Sequence, residues 1–180
     1  MVNTSSTADE NATTLRNAHP DDVEALATVK VEGWRSTYTE LVDEQTLAPF
    51  LDVAAQSAAF RSVLEEAGTR VVVAECEGMV IGFVTGDLQT GYVDSLHVLP
   101  ARRSGGVGRR LLGAIAEALR EHGCAELSLN VVAGNMRARA FYERLGGELT
   151  GSAPAEWAPT VEEVRYRWTN VDRLVRASTD

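Results

Sequence analysis

Between Val98 and Leu112 the chain runs Val98-Leu99-Pro100-Ala101-Arg102-Arg103-Ser104-Gly105-Gly106-Val107-Gly108-Arg109-Arg110-Leu111-Leu112, with four arginines, three glycines and no carboxylate. This is the order of a strand end, a proline stop, a glycine-rich turn and the opening of a helix. The first turn of a helix carries unpaired backbone N–H groups and the positive end of the dipole, and both attract phosphate. Glycines at 105, 106 and 108 leave that backbone bare, so a diphosphate can approach it closely. Flanking arginines add charge-assisted hydrogen bonds. The chemistry implied is the capture of an anionic ligand by main chain, in a protein whose formal net charge is −9.

Two other phosphate motifs fail here. A Walker loop needs Gly-Lys followed by Ser or Thr, and the single lysine of the chain is Lys30. The dinucleotide fingerprint needs a glycine where Leu111 stands. A second block with chemical potential is Asn135-Met136-Arg137-Ala138-Arg139-Ala140-Phe141-Tyr142-Glu143-Arg144-Leu145-Gly146. There Asn135 is a helix cap, and Phe141 and Tyr142 are aromatic residues at helical spacing. On the strand before the glycine turn, Asp94 lies two residues after Tyr92 and so shares its face, while the alternation sends His97 to the opposite one.

The elements that hold these residues follow from periodicity. Thr13 to Asn17 fits a short strand. His19-Pro20-Asp21-Asp22 opens a helix carrying Val23, Leu26, Ala27, Lys30 and Trp34 at helical spacing. A second helix runs from about Val53 to Ala67 and stops at Gly68. Arg70 to Cys76 and Met79 to Thr85 form a hairpin turning at Glu77-Gly78, and Tyr92 to Leu99 adds a third antiparallel strand. Val107, Leu111, Ala114, Ile115, Ala118 and Leu119 line one face of the helix after the glycine turn. Then come a strand (Leu127 to Val132), the helix capped by Asn135, and two strands, near Glu148 to Gly151 and Val161 to Trp168, joined by a loop holding Pro154 and Trp157. The expected architecture is α/β of mixed α+β type: a mostly antiparallel central sheet with helices on both faces. Residues 1–12 read as a tail, 13–170 as one domain, and 171–180 as a C-terminal tail.

Composition bounds the function. At 180 residues, 44% hydrophobic and 24% charged, the chain suits one globular domain. The acidic balance argues against a general nucleic-acid binder, and suits cationic ligands such as amines. The absence of a signal sequence and of a long apolar run places it in the cytoplasm, away from membranes. Cys76 and Cys124 read as buried thiols, and no Cys or His spacing fits a metal.

Arg103-Ser104-Gly105-Gly106-Val107-Gly108 resembles the Arg/Gln-x-x-Gly-x-Gly/Ala motif of GNAT N-acetyltransferases. Leu96 to Pro100 resembles that family's fourth strand, and the Asn135 block resembles its Asn-x-x-Ala-x-x-Phe-Tyr segment. The resemblance implies a GNAT fold and transfer of an acetyl group from acetyl-CoA to a primary amine, with a small-molecule acceptor favoured. The alternatives are a protein N-terminal or lysine acetyltransferase, and a non-catalytic acyl-CoA-binding module. It also implies residue roles. Leu96 and Val98 would pair with pantetheine as an added strand. Arg103, Ser104, Gly105, Gly106, Gly108 and Arg109 would hold the diphosphate, and Asn135 would meet the pantetheine arm. Tyr142 would be the general acid. Asp94 would be a base or a substrate anchor, because Tyr92 stands where several family members carry the glutamate. Trp34, Tyr38 and Trp157 would contact the acceptor. A homodimer through the C-terminal strands is common among such proteins.

Overall fold

A computed structural model describes residues 13–179; the tail expected over 1–12 lies outside the described residues. The order is β1 (Thr14–Asn17), α1 (Val23–Tyr38), α2 (Glu44–Leu47), α3 (Val53–Glu65), β2 (Thr69–Cys76), β3 (Met79–Asp87), β4 (Tyr92–Val98), α4 (Val107–Glu121), β5 (Leu127–Val132), α5 (Met136–Arg144), β6 (Glu148–Ala155), β7 (Ala158–Trp168) and α6 (Val171–Thr179). The strands form one sheet ordered β1-β2-β3-β4-β5-β7-β6. Every pairing is antiparallel except β4 with β5. Among the described residues no helix is long and apolar enough to cross a membrane.

Alternation along β2 divides the core in two. Val71 and Val73, with Phe83 of β3, pack against Val23, Leu26 and Ala27 of α1 and Phe60 of α3. Val72, Ala74 and Val84 face Leu111, Ile115 and Leu119 of α4. Helices therefore cover both faces of the sheet, as side chains of period two and period 3.6 require of each other. Arg16 on β1 ties the sheet edge to the start of α1 by bonding Asp22 at 2.7 Å and Glu75 at 2.8 Å. Cys76 is buried, and half-buried Cys124 points its thiol at the Leu88 carbonyl.

Two expectations need correction. Residues 171–179 are no tail: α6 buries Val171 and Leu174 in the α4 core, using apolar positions three residues apart on one face. Gly113 of α4 makes room for it, since a Cβ there would lie 2.4 Å from the Ser178 Cβ. The Pro- and Trp-containing loop is a hairpin: β6 and β7 pair as far as Ala155↔Ala158, leaving Glu156 and Trp157 as the turn. Pro154 is tolerated because β6 is an edge strand.

Candidate active site

The parallel strands β4 and β5 meet over only two residue pairs, Tyr92↔Ser128 and Val93↔Leu129. Beyond Val93, β4 continues against β3 while β5 continues against β7. Among the described residues the backbone edge of Leu96 and Val98 that faces β5 therefore has no strand partner, which is the geometry that accepts an extended ligand. The two strands part into a cleft of about 1110 Å³.

Asp94 explains where β4 bends. On β3 Thr85 and Gly86 are consecutive, yet they face Ser95 and Val93, so Asp94 is the extra residue of a β-bulge. A bulge re-aims every side chain after it. Val93 and Leu96, three residues apart, both pack on the α4 side. His97 accordingly turns toward α1, the face Asp94 also occupies, and the expectation that the two oppose each other is corrected. His97 lies against Phe83, with ring centroids 5.4 Å apart, and fits because residue 33 is glycine: a Cβ there would be 2.9 Å from its Nδ1. Burial, then the charges of Lys30 and Arg103, push this imidazole from 6.5 down to about 3. It is neutral at ordinary pH.

At the mouth of the cleft, Ser104 and Gly106 both have φ of 76°, and Gly106 caps α4 without any side-chain hydrogen bond. The first helical bond runs from the Arg110 N–H to the Gly106 carbonyl. Among the described residues the amides of Val107, Gly108 and Arg109 have no partner, at the positive end of a fifteen-residue helix. A Cβ at Gly106 would meet nothing within 4 Å, so bare backbone fronts open space. These residues fit a diphosphate.

The four arginines differ. Arg110 donates to the Thr13 carbonyl at 2.8 Å, and Arg102 approaches Glu77 at 3.8 Å. Arg103 folds back under the turn, donating from Nε to the Val98 carbonyl (3.1 Å) and from Nη2 to the Ser36 hydroxyl (2.9 Å). Its side chain thus clamps β4 to the end of α1, leaving the ligand its backbone. Arg109 lines the cleft and has no side-chain hydrogen bond or ion pair among the described residues.

Deeper in, Asn135 caps α5 by accepting from the Ala138 N–H at 3.1 Å, and its amide meets the Tyr38 hydroxyl. Phe141 packs beside the glycine turn, 3.5 Å from where a Gly108 Cβ would be. Tyr142 is 7% exposed and lines the same cleft. Burial, reinforced by nearby Tyr38, pushes its phenol above the usual range, so it stays protonated.

On the far wall Trp34 stacks on Phe50 at 4.5 Å, and Trp157 stands edge-on to both at 5.0 and 5.2 Å. Tyr38 meets Trp34 edge-on at 5.0 Å. Trp34, only 9% exposed, belongs to a buried cluster as well as to the cleft. The Trp157 indole donates to Glu163 Oε1 at 2.9 Å, and the Asn130 amide donates to Oε2 at 3.3 Å. Arg165 donates to Asn130 Oδ1 at 3.1 Å. Tyr92 reaches toward this group, and burial followed by the charges of Asp94 and Glu163 raises its hydroxyl to about 12. Asp94 itself is exposed and accepts from Ser95 at 2.8 Å.

The cleft thus unites Trp34, Tyr38, Asp94, Leu96, Val98, Arg103, Ser104, Gly106, Gly108, Arg109, Asn135, Tyr142 and Trp157; Gly105 sits in the same turn but does not line it. Sequence reading missed Lys30, Phe50, Asn130, Glu163 and Arg165. Lys30 alone left a signal, a charge amid the apolar positions of α1. Among the described residues no group of three or more His, Cys, Asp or Glu is placed to hold a metal.

A family model described as "Acetyltransferase (GNAT) family" matches residues 32–147. The N-acetyltransferase YuaI of Bacillus subtilis is 29% identical over 174 residues, covering 89% of this chain and 95% of YuaI. An N-acetyltransferase of Mycobacterium tuberculosis is 24% identical over 134 residues, covering 73% of this chain and 86% of its own. Among solved structures, PaiA N-acetyltransferase of Thermoplasma acidophilum, in complex with coenzyme A, superposes with TM-score 0.70 at 16% identity over 87% of this chain and 99% of that one. YncA of Salmonella typhimurium, solved with acetyl-CoA, gives 0.65 at 21% identity over 90% and 95%.

Proposed function

The chain belongs to the acetyltransferase (GNAT) family, and from that membership we propose that it transfers the acetyl group of acetyl-CoA to the amine of a small molecule, in a ternary complex and by direct attack. The observation that carries this reading is the stretch of β4 beyond Val93 that no described strand pairs on its β5 side, beside an α4 terminus capped without any side-chain hydrogen bond, with Tyr142 lining the same cleft. The donor supplies a thioester carbonyl. Leu96 and Val98 offer backbone groups to its pantetheine arm, and the amides of Val107 to Arg109, with the Arg109 side chain, take the diphosphate. Asn135 holds the α5 terminus against that arm.

The acceptor nitrogen forms its bond to the carbonyl carbon as the carbon–sulfur bond breaks. Tyr142, kept protonated by burial, gives its proton to the leaving sulfur. Asp94 takes the proton released by the amine, directly or through water. Trp34, Tyr38 and Trp157 orient the acceptor.

Mixing protein, acetyl-CoA and an amine library tests the reading by release of free thiol and by product mass. Tyr142→Phe lowers kcat by about a hundredfold with acetyl-CoA affinity kept; an unchanged kcat removes the acid role. Asp94→Asn lowers kcat without altering thermal unfolding, and normal turnover would take Asp94 out of the proton path. Tight acetyl-CoA binding with no thiol released from any amine would instead identify a binding module.

A further inference from the structure

Lys30 is the only lysine in 180 residues, and it lines the cleft from the α1 side. It is half-buried, and its ammonium lies over the Phe60 ring, 5.6 Å from the centre. Among the described residues it has no hydrogen bond and no ion pair. Burial pulls its pKa down, and the charge that pulls the other way is Asp94. A half-buried ammonium with only an aromatic face against it is less well compensated than one with a matched anion.

Several other charges of the cleft are committed, while Arg109, Arg137, Arg144 and Glu156 line it without a hydrogen bond or ion pair among the described residues. Glu163 accepts on both oxygens, from Trp157 and Asn130. Arg165 is engaged with Asn130, and Arg103 with Val98 and Ser36. His97, between Lys30 and Arg103, is neutral. On the α1 side lie Lys30 and Asp94, opposite charges that feel each other but are not paired; among the described residues Asp94 is bonded by the Ser95 hydroxyl alone.

A ligand bearing both an amine and an acid would complete the two at once. We propose that the acceptor is an aminocarboxylic acid of the free amino acid class, its carboxylate held by Lys30 and its amine presented on the Asp94 side. The assignment rests on the acetyltransferase reading and narrows its substrate. It makes Lys30 a specificity residue: the reacting amine is on the acceptor, and Lys30 selects which acceptors remain long enough to react.

Because there is one lysine, protein labelled with 13C at lysine Cε gives a single side-chain resonance, and occupancy is read without turnover. The full chain, saturated with coenzyme A, is titrated with the common amino acids, their carboxamides and the matching decarboxylated amines. At least one acid should move the Lys30 signal saturably, binding about tenfold or more tighter than its amide and its amine. Thiol release with acetyl-CoA should show the same preference, and Lys30→Met should abolish it by slowing the acid alone. A signal that no acid moves, or that amides move equally, overturns the proposal even if neutral amines are acetylated. A shifted signal without thiol release from any compound keeps the anion site and removes the acetyltransferase reading.

Discussion

Gly106 and Gly108 stand two residues apart in the same turn, yet the structure assigns opposite signs to their replacement by alanine. Gly106 has φ of 76°, and a Cβ there meets nothing within 4 Å. The cost of Gly106→Ala is therefore purely conformational, about 1–2 kcal/mol for a left-handed residue with a side chain. It is offset by about 0.4–1 kcal/mol because alanine has fewer unfolded states to lose. The net loss is about 1 kcal/mol, or roughly 2–4 °C in Tm for a domain of this size. Gly108 is already helical, and its new Cβ would touch Phe141 at an ordinary 3.5 Å. Gly108→Ala should gain up to about 1 kcal/mol of helix propensity. Binding should separate them the same way. The Gly106 methyl enters the open cradle and should weaken coenzyme A by about tenfold or more, whereas the helical Gly108 methyl is directed at Phe141 and should leave affinity within about threefold. Thermal unfolding and calorimetry read both effects. Equal stability and equal affinity in the two variants would refute the left-handed cap and the cradle built on it.

Two further outcomes follow from charges in the cleft. The His97 imidazole is held well below its ordinary 6.5, so the unfolded chain binds a proton that the folded chain refuses. Its stabilising effect is complete above about pH 6.5 and is lost as pH falls toward 3, with a slope of up to about 1.4 kcal/mol per pH unit. Denaturation of His97→Gln between pH 4 and 6 should be correspondingly flatter, and a parallel curve would contradict the burial. Arg103→Ala removes two close hydrogen bonds joining the turn, β4 and α1, each worth about 1 kcal/mol. Urea midpoints should fall for alanine and recover little with lysine, which lacks the planar fork; full recovery by lysine would reduce the clamp to a point charge.

The glycine turn, the β2–β3 hairpin and the Asn135 cap were legible because each is a local contract between residue type and backbone. What the sequence hid was set across strands. The bulge at Asp94 leaves no mark on composition, and without it the alternation sends His97 to the wrong face. Asn130, Glu163 and Arg165 become neighbours only through the β5–β7 register. Arg103 sits inside the phosphate motif, and nothing in the motif tells that its guanidinium turns away toward Ser36. The α6 stretch has Val171, Leu174 and Val175 at helical spacing, but it spans nine residues among polar ones and reads as an end.

The central claim is that the main-chain amides after Pro100 grip the diphosphate of the donor, and amide chemical shifts on 15N-labelled protein test it most directly. Adding acetyl-CoA should move the Ser104 to Arg109 resonances, while acetyl-pantetheine, which lacks the diphosphate, should leave that group still and bind far more weakly. Equal affinity for the two compounds, or shifts that bypass Val107, Gly108 and Arg109, would contradict it.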